Sequence, residues 1–509
     1  TNGGLVTENW FDLNASRYTP SSTLQRMELL KTGYMGTLSL GWDNYLFLEL
    51  TGRQERSSTL KDQSFFYPSA NLSFLFTQAF HMPSWWNYGK LRLSYGIVGN
   101  APETYTANIV YEQGSDNGFT WNTIPSSWGN ADIRPEKKYE YEIGLESKFL
   151  NNRLGIDVSY YNNRVKDQIL STPQPSTSGV KNVLMNVGEV ANHGWDISIS
   201  ATPILTRDFR WDLTANYGVY KNKVVKLADG VPYLEILNSG GSGIKIQAVE
   251  GQPMGDIYAQ VPQVNENGEY LVSDKGLYLN QTELQKVGNI NPAGVGGLFN
   301  SFSYKNVFLD FSIDFRIGGD VINEMNQYAT AVGLTPESLK YRDTEHGGLS
   351  YYYPGDNSSS GIPVQVDPST GVGPNGEIIY HDGIILPGVV ASTGERNTRI
   401  IPAGYYYNTT YNWGTEAEQL TYRHSVFDNS YVKLRELTIG YQFPEKMISK
   451  LGLGRLSVSV FGRNLFYFYK ALKNYDAESS VGTSWANQAT VGSSTTATRS
   501  FGVSLRASF

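Results

Sequence analysis

The chain has 509 residues, of which 17% are charged and 13% aromatic, with 52 glycines, no cysteine and a formal net charge of −7. The lack of cysteine excludes disulfides and thiol chemistry, and an acidic balance without a basic run argues against a nucleic acid partner. No stretch approaches the about 18 consecutive apolar residues of a transmembrane helix. A sliding average of hydropathy does not detect a membrane barrel, because the apolar and polar residues that alternate along its strands cancel.

Segments in which apolar and polar side chains alternate recur along the whole chain, and this period of two indicates half-exposed β-strands. Most of these segments have about the 9–11 residues that a tilted membrane strand needs. The pattern predicts thirteen strands, near residues 29–41, 44–53, 67–77, 91–97, 139–149, 154–160, 195–200, 209–219, 296–304, 309–317, 429–442, 456–463 and 501–509.

The clearest pair of strands lies at 136–164. Apolar and aromatic residues take most odd positions from 139 to 149, whereas Lys and Glu take most even ones. The apolar face continues after a tight turn at 150–153. A slip of one residue would turn the charges toward lipid, where each Lys costs roughly 2–4 kcal/mol at the midplane. The register is therefore strongly specified.

The last strand ends the printed sequence on an aromatic residue. Its apolar positions alternate with small or polar ones. At the edge of a sheet, a soluble protein would normally protect such a strand with charged residues, a proline or a covering segment. In a closed membrane barrel the last strand pairs with the first, so no edge remains. We interpret four residues as a C-terminal barrel signal: Phe501, Val503, Leu505 and Phe509.

The connections between the predicted strands alternate in length. Short turns on one side and long loops on the other are the layout of an outer-membrane barrel, whereas a soluble sandwich has no reason to sort its loops by length. The predicted long loops lie near 1–28, 54–66, 99–135, 165–189, 221–295, 318–428 and 466–494.

An odd number of strands has a topological consequence. With the C-terminus in the periplasm, thirteen strands place residue 1 on the extracellular side, although bacterial single-chain barrels have even strand numbers. We therefore expect residues 1–509 to be the C-terminal part of a larger barrel that is interrupted in a surface loop near 1–28. The alternative is a miscounted strand and a complete barrel of about 12 or 14 strands.

In this order the segments resemble the C-terminal half of SusC/RagA-type TonB-dependent transporters of Bacteroidota. Each segment alone is only a barrel-strand pattern, but their combination is specific. The matching segments are 91–100, 133–169, 186–201, 250–259, 299–324, 427–444, 456–466 and the terminal strand.

The resemblance implies a barrel of about 22 strands, a size at which the lumen is plugged. In that family an N-terminal plug closes the lumen, a periplasmic segment engages the TonB complex, and a SusD-like surface lipoprotein closes over the top as a lid. The plug, the TonB segment and the first strands are absent from this sequence, so we expect them from another part of the transporter.

No catalytic motif stands out in the sequence. The five His residues are scattered without metal-ligand spacing, and neither a nucleophile elbow nor a thiol nucleophile is present. We therefore expect no enzyme, no metal and no cofactor.

The predicted long loops are rich in aromatic residues among Asn, Gly and Ser. Such rings suit stacking on sugar faces or contact with peptides; alternatively they pack within the loops, sit at the bilayer boundary or contact the lid. The candidates for substrate contact are Tyr105, Tyr111, Trp121, Trp128, Tyr351, Tyr352, Tyr353, Tyr405, Tyr406, Tyr407 and Trp413.

Charged residues on the polar face of the predicted strands are expected to face the lumen. They contact the plug or serve as ordinary solvated lining groups. The candidates are Glu140, Glu142, Asp310, Asp314 and Arg316.

Three functions remain open from the sequence. The first is a SusC-like importer of oligosaccharides, or of peptides as in RagA-type importers, in the lipid of the outer membrane. The second is a passive porin, and the third is a soluble, aromatic-rich binding protein. The aromatic loops favour a glycan cargo, because stacking is the commoner way to hold an uncharged sugar.

Overall fold

The computed structural model describes residues 4–12, 15–18, 26–61, 64–116, 119–174, 176–239, 243–412, 421–449, 452–479, 484–492 and 497–508. Thirteen strands form one antiparallel main sheet in which each strand pairs with its neighbours along the chain. The thirteen predicted strands are thus confirmed. They are β1 (Lys31–Trp42), β2 (Leu46–Ser57), β3 (Ser64–Phe74), β4 (Trp86–Asn100), β5 (Glu136–Phe149), β6 (Leu154–Lys166), β7 (Glu189–Leu205), β8 (Phe209–Lys226), β9 (Pro292–Tyr304), β10 (Val307–Gly318), β11 (Tyr431–Gln442), β12 (Arg455–Lys470) and β13 (Ser500–Ser508).

The register of the main sheet separates an apolar face from a polar face, because directly paired residues of antiparallel strands share a face. Ile143 pairs with Leu93 on one side and Tyr160 on the other, which makes a continuous apolar row. Glu142 pairs with Ser94 and Tyr161 on the opposite face. The alternation seen in the sequence therefore becomes two chemically distinct surfaces.

The terminal strand continues the apolar face at the edge of the sheet. Phe501, Val503 and Leu505 pair with Gly462, Val460 and Val458 of β12. Their side chains are 73%, 71% and 68% exposed, as expected for groups that face lipid rather than a protein core. The fourth residue of the predicted signal, Phe509, lies outside the described residues.

A buried amide side chain lies on the apolar face. Asn300 pairs with Leu213 and Phe311, both on the apolar face, yet its side chain is buried. The indole Nε1 of Trp211 donates a hydrogen bond to the Asn300 Oδ1 atom at 3.1 Å, and the stacked Phe302 ring packs on Trp211. The aromatic cover and the hydrogen bond together make this amide tolerable on an apolar surface.

With the exception of 58–63, the connections alternate in length, with the shorter ones at one end of the sheet and the longer ones at the other. The short ones are 43–45, 75–85, 150–153, 206–208, 305–306 and 443–454, and the other end carries 58–63, 101–135, 167–188, 227–291, 319–430 and 471–499. The predicted long loop near 54–66 is wrong in its extent, because β2 and β3 continue into it and leave only residues 58–63.

The tight turn between β5 and β6 explains how so short a connection reverses the chain. Asn151 and Asn152 have φ values of 57° and 60°. Asn tolerates this left-handed region better than most residues, since its short side chain bonds locally.

Further elements lie in the connections. Short strands occur at Glu112–Asp116, Phe119–Thr123, Ser127–Trp128, Ile169–Pro173, Asn182–Asn186, Tyr233–Ser239, Ile244–Val249, Asp256–Ala259, Leu271–Val272, Gln285–Asn289, Asp320–Ile322, Leu349–Tyr352, Val364–Gln365, Tyr380–Ile384, Val389–Val390, Ile401–Pro402 and Val426–Asp428. The described residues contain the helices α1 (Phe76–Ala79), α2 (Glu324–Ala331), α3 (Ala403–Tyr411) and α4 (Glu445–Ile448), with 3-10 turns at Ser176–Ser178, Pro336–Leu339, Pro354–Asp356, Tyr422–Ser425 and Asn487–Ala489. None of the helices in the described ranges has the length and apolar character needed to cross a bilayer.

Candidate functional site

The connections after β8, β10 and β12 fold together into one structure, which we call the loop cap: the described residues of 227–291, 319–430 and 471–499. Its largest apolar core takes buried side chains from all three connections. Because no connection supplies the whole core, the three segments stabilise one another. The core residues are Ile244, Ile246, Ile257, Ala259, Ile290, Ile322, Val426, Ala486 and Ala489.

Polar contacts also join the three connections of the loop cap. The Thr421 hydroxyl donates to the Asn280 Oδ1 atom at 2.9 Å, and the Asn429 Nδ2 atom donates to the Ala477 carbonyl at 2.9 Å. Ile322 forms a β-bridge with Thr490. The cap is therefore a folded surface on which side chains can hold fixed positions for a ligand.

A cleft of about 740 Å³ opens in the loop cap. We call it the tyrosine cleft, because tyrosine rings make up much of its wall. A carboxylate, a guanidinium and the ammonium-bearing Lys275 also line this cleft, which therefore combines flat apolar surface with hydrogen-bonding groups. Its lining includes Tyr351, Tyr353, Tyr380, Asp382, Arg399 and Tyr405.

The rings of the tyrosine cleft are held by one another. Tyr351 stacks on Tyr380 with a centroid distance of 5.5 Å and an interplanar angle of 22°, and it also makes an edge-on contact with Tyr353 at 5.5 Å. Tyr351 is 1% exposed, whereas Tyr380 is 37% exposed. Tyr351 therefore supports the wall, and Tyr380 offers a ring to the cleft.

A hydrogen bond fixes the carboxylate of the cleft. The Tyr351 hydroxyl donates to the Asp382 Oδ1 atom at 3.0 Å. Burial, and then the nearby negative charge of Asp382, raises the pKa of Tyr351. The phenol consequently stays protonated and orients Asp382, whose remaining lone pairs can accept from a ligand hydroxyl.

The candidate tyrosines of 318–428 divide into two groups. Tyr351, Tyr353 and Tyr405 line the tyrosine cleft, and Tyr352 is half-buried beside them. Tyr406 and Tyr407 lie on α3 and pack against Tyr411, with centroid distances of 6.1 and 5.6 Å. Trp413 lies outside the described residues.

Tyr407 in addition ties α3 to the neighbouring turn. Its hydroxyl donates to the Glu337 carbonyl at 2.9 Å, and its ring is 4% exposed. This residue and its partner Tyr406 thus pack within the loop cap.

The candidate aromatics of 99–135 stay more open. Tyr105, Tyr111 and Trp121 are 50%, 65% and 46% exposed. The Trp121 ring covers Gly114 of the paired strand, where a Cβ atom would lie 2.7 Å from the indole. Trp128 lies in a two-residue strand that pairs with Asn182–Asn186. These residues lie in a different connection from the tyrosine cleft.

All five candidate lumen charges lie on the polar face, as their register shows. Glu140 accepts from Lys138 at 2.6 Å, and Asp310 accepts from the Ser301 hydroxyl at 2.6 Å. Glu142 lines a groove on the same face. These groups follow the polar surface of the sheet.

Asp314 and Arg316 have partners nearer the loop cap. Asp314 accepts from the Arg435 Nε atom at 2.5 Å. Arg316 donates to the Gly318 carbonyl at 3.2 Å and to the Ile290 carbonyl at 3.1 Å. Both side chains thus brace the junction between the main sheet and its long connections.

An ion-pair cluster at this junction was not singled out in the sequence, and we call it the Glu478 anchor. Glu478 accepts from Lys433 at 2.5 Å and from the Arg435 Nη2 atom at 2.6 Å. Burial opposes ionisation of Glu478, but hydrogen bonds from Arg435 and Lys433 outweigh it and lower its pKa to about 2. The connection 471–499 is thereby fastened to the polar face.

The sequence carried only part of the signal for these missed residues. Lys433 alternates with Val432 and Leu434, which is the pattern of a charged group on the polar face. Asp382 and Glu478 lie in long connections without periodicity, so only the folded chain brings them to their partners. Among the described residues no group of three His, Asp or Glu side chains is placed to hold a metal ion.

Comparisons with known proteins agree with this architecture. The family described as "TonB dependent receptor-like, beta-barrel" matches residues 6–263. TonB-dependent receptor P3 of Formosa agariphila is 24% identical over 494 residues, which are 88% of this chain and 42% of that protein. TonB-dependent receptor SusC of Bacteroides thetaiotaomicron is 30% identical over 247 residues, which are 45% of this chain and 24% of that protein.

The fold is also similar to that of a solved structure, the RagAB peptide transporter. The two superpose with a TM-score of 0.63 at 18% identity, over 91% of this chain and 47% of that chain. The chain therefore spans less than half the length of each of these relatives.

Proposed function

This chain belongs to the TonB-dependent receptor-like β-barrel family, and from that premise we propose that it is the barrel portion of a SusC-like importer of oligosaccharides. The resemblance to SusC/RagA-type proteins is confirmed over most of the chain. The protein is located in the outer membrane of a Gram-negative bacterium. The family consists of transporters, not enzymes.

In this proposal import is active and draws on the TonB complex. We propose that the plug, the TonB-contact segment and the remaining barrel strands are supplied by the rest of the transporter, since this chain covers 42% of the length of the relative P3. A SusD-like surface lipoprotein closes over the long-connection end as a lid. The loop cap and the lid then enclose the cargo between them.

The tyrosine cleft carries the proposal for the cargo. The exposed ring of Tyr380 provides a flat surface for a sugar face. Asp382 accepts from sugar hydroxyls, and Arg399 donates to sugar oxygens from the same wall. A ring beside both kinds of hydrogen-bonding group suits a neutral oligosaccharide.

Calorimetric titration of the intact transporter complex with oligosaccharides and with oligopeptides tests this proposal. We expect oligosaccharides to bind and Tyr380→Ala to weaken that binding about tenfold, because a stacked ring contributes roughly 0.5–1.5 kcal/mol beyond its buried area. Tyr233→Ala is the matched control, since Tyr233 is a 44% exposed tyrosine elsewhere in the loop cap. Equal oligosaccharide affinity in both variants would show that the tyrosine cleft is not the binding site of the oligosaccharide.

Oligopeptide import is the second candidate. Asp382 and Arg399 place opposite charges in one cleft, and such a pair suits the two termini of a short peptide. The solved relative is titled a peptide transporter, but at 18% identity its likeness concerns the fold. Binding of oligopeptides alone in the same titration would favour this candidate over glycan import.

A further inference from the structure

A group of basic residues lies on the apolar face of the barrel, where β5 to β8 approach their long connections. The register shows it in three successive cross-strand rows. All members are exposed. We call this group the basic rim: Lys137, Arg164, Lys166, His193, Lys221, Lys223 and Lys226.

The rows follow directly from the pairing of the four strands. In the first row His193 pairs with Asn162 on β6 and with Lys221 on β8. In the second row Arg164 and Lys223 both pair with Ala191. Neighbouring rows on one face are two residues, or roughly 7 Å, apart along a strand, and adjacent strands lie about 5 Å apart, so each cation has another one within about 10 Å.

In the third row Lys166 pairs with Lys137, and both Lys166 and Lys226 pair with Glu189. Three cations thus share this row with one carboxylate. Like charges at directly opposed positions destabilise a sheet. An anion from outside the strands would reduce this repulsion.

An aromatic row lies immediately on the lipid side of the basic rim. Trp195 packs on Tyr160 at 4.9 Å, and Tyr160 packs on Tyr141 at 6.5 Å. Aromatic belts of this kind mark the level of the membrane interface. His193 is two residues beyond Trp195, or roughly 7 Å along the strand. The basic rim therefore begins at the depth of the lipid headgroups.

Few anions of the chain itself neutralise this surface. Arg164 pairs with Glu189 at 3.0 Å, and Lys226 pairs with Asp229 at 3.2 Å. In the described part of the chain no ion pair connects to Lys137, Lys221 or Lys223. A local positive surplus on a chain of net charge −7 points to an anionic partner.

A groove of about 210 Å³ adjoins these cations on the same face. Its lining residues are Tyr95, Tyr139, Glu140, Tyr141, Asn162, Arg164 and Lys166. The carboxylate of Glu140 is paired with Lys138. The Lys166 Nζ atom lies 5.8 Å from the centre of the Tyr139 ring. The groove therefore presents aromatic surface and positive charge side by side.

We infer that the basic rim binds the phosphate groups of a phosphorylated glycolipid in the outer leaflet, with part of its sugar or acyl chain in the groove. Such a lipid carries its charge at the headgroup depth and its apolar chains toward the aromatic row, so its chemistry matches both neighbouring surfaces. This inference rests on the proposed orientation, in which the long connections face the outside.

The test uses the intact transporter reconstituted in lipid nanodiscs and titrated with phosphorylated lipid A, followed by native mass spectrometry. We expect a triple variant, Lys166→Gln with Lys221→Gln and Lys223→Gln, to bind this lipid about a hundredfold more weakly, because each cation near a membrane surface contributes about a fivefold factor. Dephosphorylated lipid A should bind the unaltered protein weakly, and equally in the variant.

A matched control variant carries Lys305→Gln, Lys446→Gln and Arg455→Gln at the short-turn end, with the same change in charge. It should retain the lipid. Two results would overturn the inference: equal binding of both lipid forms, or an equal loss of lipid in the control variant. Loss of a dimer in the triple variant without loss of lipid would also overturn it, and would assign the surface to a second copy of the chain. Because the readout is lipid retention, its failure is distinct from a failure of cargo import.

Discussion

At the residue scale, Glu478 fastens the connection 471–499 to β11 through ion pairs with Lys433 and Arg435. Lys433, its partner, is 1% exposed and has a second contact with the Tyr467 ring at 4.8 Å. A buried ammonium without its carboxylate is costly. The anchor therefore holds a whole connection through one carboxylate.

We expect Glu478→Gln to loosen residues 471–479 while the barrel stays folded. Charge-assisted hydrogen bonds contribute about 1.5–3 kcal/mol each, so amide hydrogen exchange in this segment should become roughly 10–100 times faster. Glu283→Gln, at an exposed position of the loop cap, is the control. Unchanged exchange in the Glu478 variant would contradict the anchoring role.

The same contact predicts a dependence on pH. Because folding lowers the pKa of Glu478 from 4.5 to about 2, the stabilisation is present above pH 4.5 and is lost as the pH falls toward 2. Exchange in 471–479, measured relative to the intrinsic amide exchange rate at each pH, should therefore rise as the pH falls from about 4.5 to 2. In Glu478→Gln this rise should be absent, and a transition above pH 6 would point to another group.

At the element scale, the strands owe their placement to the contrast between adjacent positions. Ile143 and Glu142 are neighbours on β5, yet one faces the apolar row of Leu93 and Tyr160 and the other the polar row of Ser94. The same substitution at these two positions therefore tests the assignment of faces.

We expect Ile143→Lys to destabilise the barrel by about 2–4 kcal/mol, the cost of a lysine on the lipid face near the midplane. Glu142→Lys, on the polar face, should have a much smaller effect. Denaturant unfolding in lipid vesicles, followed by gel mobility of unheated samples, measures both. Similar losses in the two variants would mean that the faces are assigned incorrectly.

At the scale of the whole molecule, the proposed importer and a passive porin differ in whether the lumen is open. An importer whose lumen is closed by a plug conducts ions poorly until it is energised, whereas a porin leaves an aqueous channel. The polar face, with its ion pairs such as Arg92 with Asp157 at 2.6 Å, suits either wet lining or a protein filling.

We expect the complete native transporter to show no stable channels in planar lipid bilayers and to co-purify with a surface lipoprotein. Conductance recording and mass spectrometry of the purified complex measure these two properties. Steady large conductance by the native complex would favour the porin. Partner polypeptides without such conductance would favour the importer.

The sequence by itself determined the thirteen strands, their faces and their order, because a half-exposed strand has apolar residues on one face and polar residues on the other, and these alternate along the chain. A slip of one residue would have exposed charges such as Glu142 to lipid, so the register near β5 and β6 was readable as well. The alternation was weakest at 296–304, where Asn300 on the apolar face and Phe299 on the polar face depart from the pattern.

Only the tertiary structure decided how the long connections pack and which of their residues meet. Asp382 reaches Tyr351, and Glu478 reaches Lys433, across segments that carry no periodic signal. Arg435 is the extra residue of a β-bulge, after which the alternation of β11 shifts by one residue, so that Glu436 pairs with Ser312 on the polar face and Leu437 with Phe311 on the apolar face. Strands are specified locally by lipid and water on their two sides, whereas loop contacts depend on distant partners that become neighbours only after the sheet has formed.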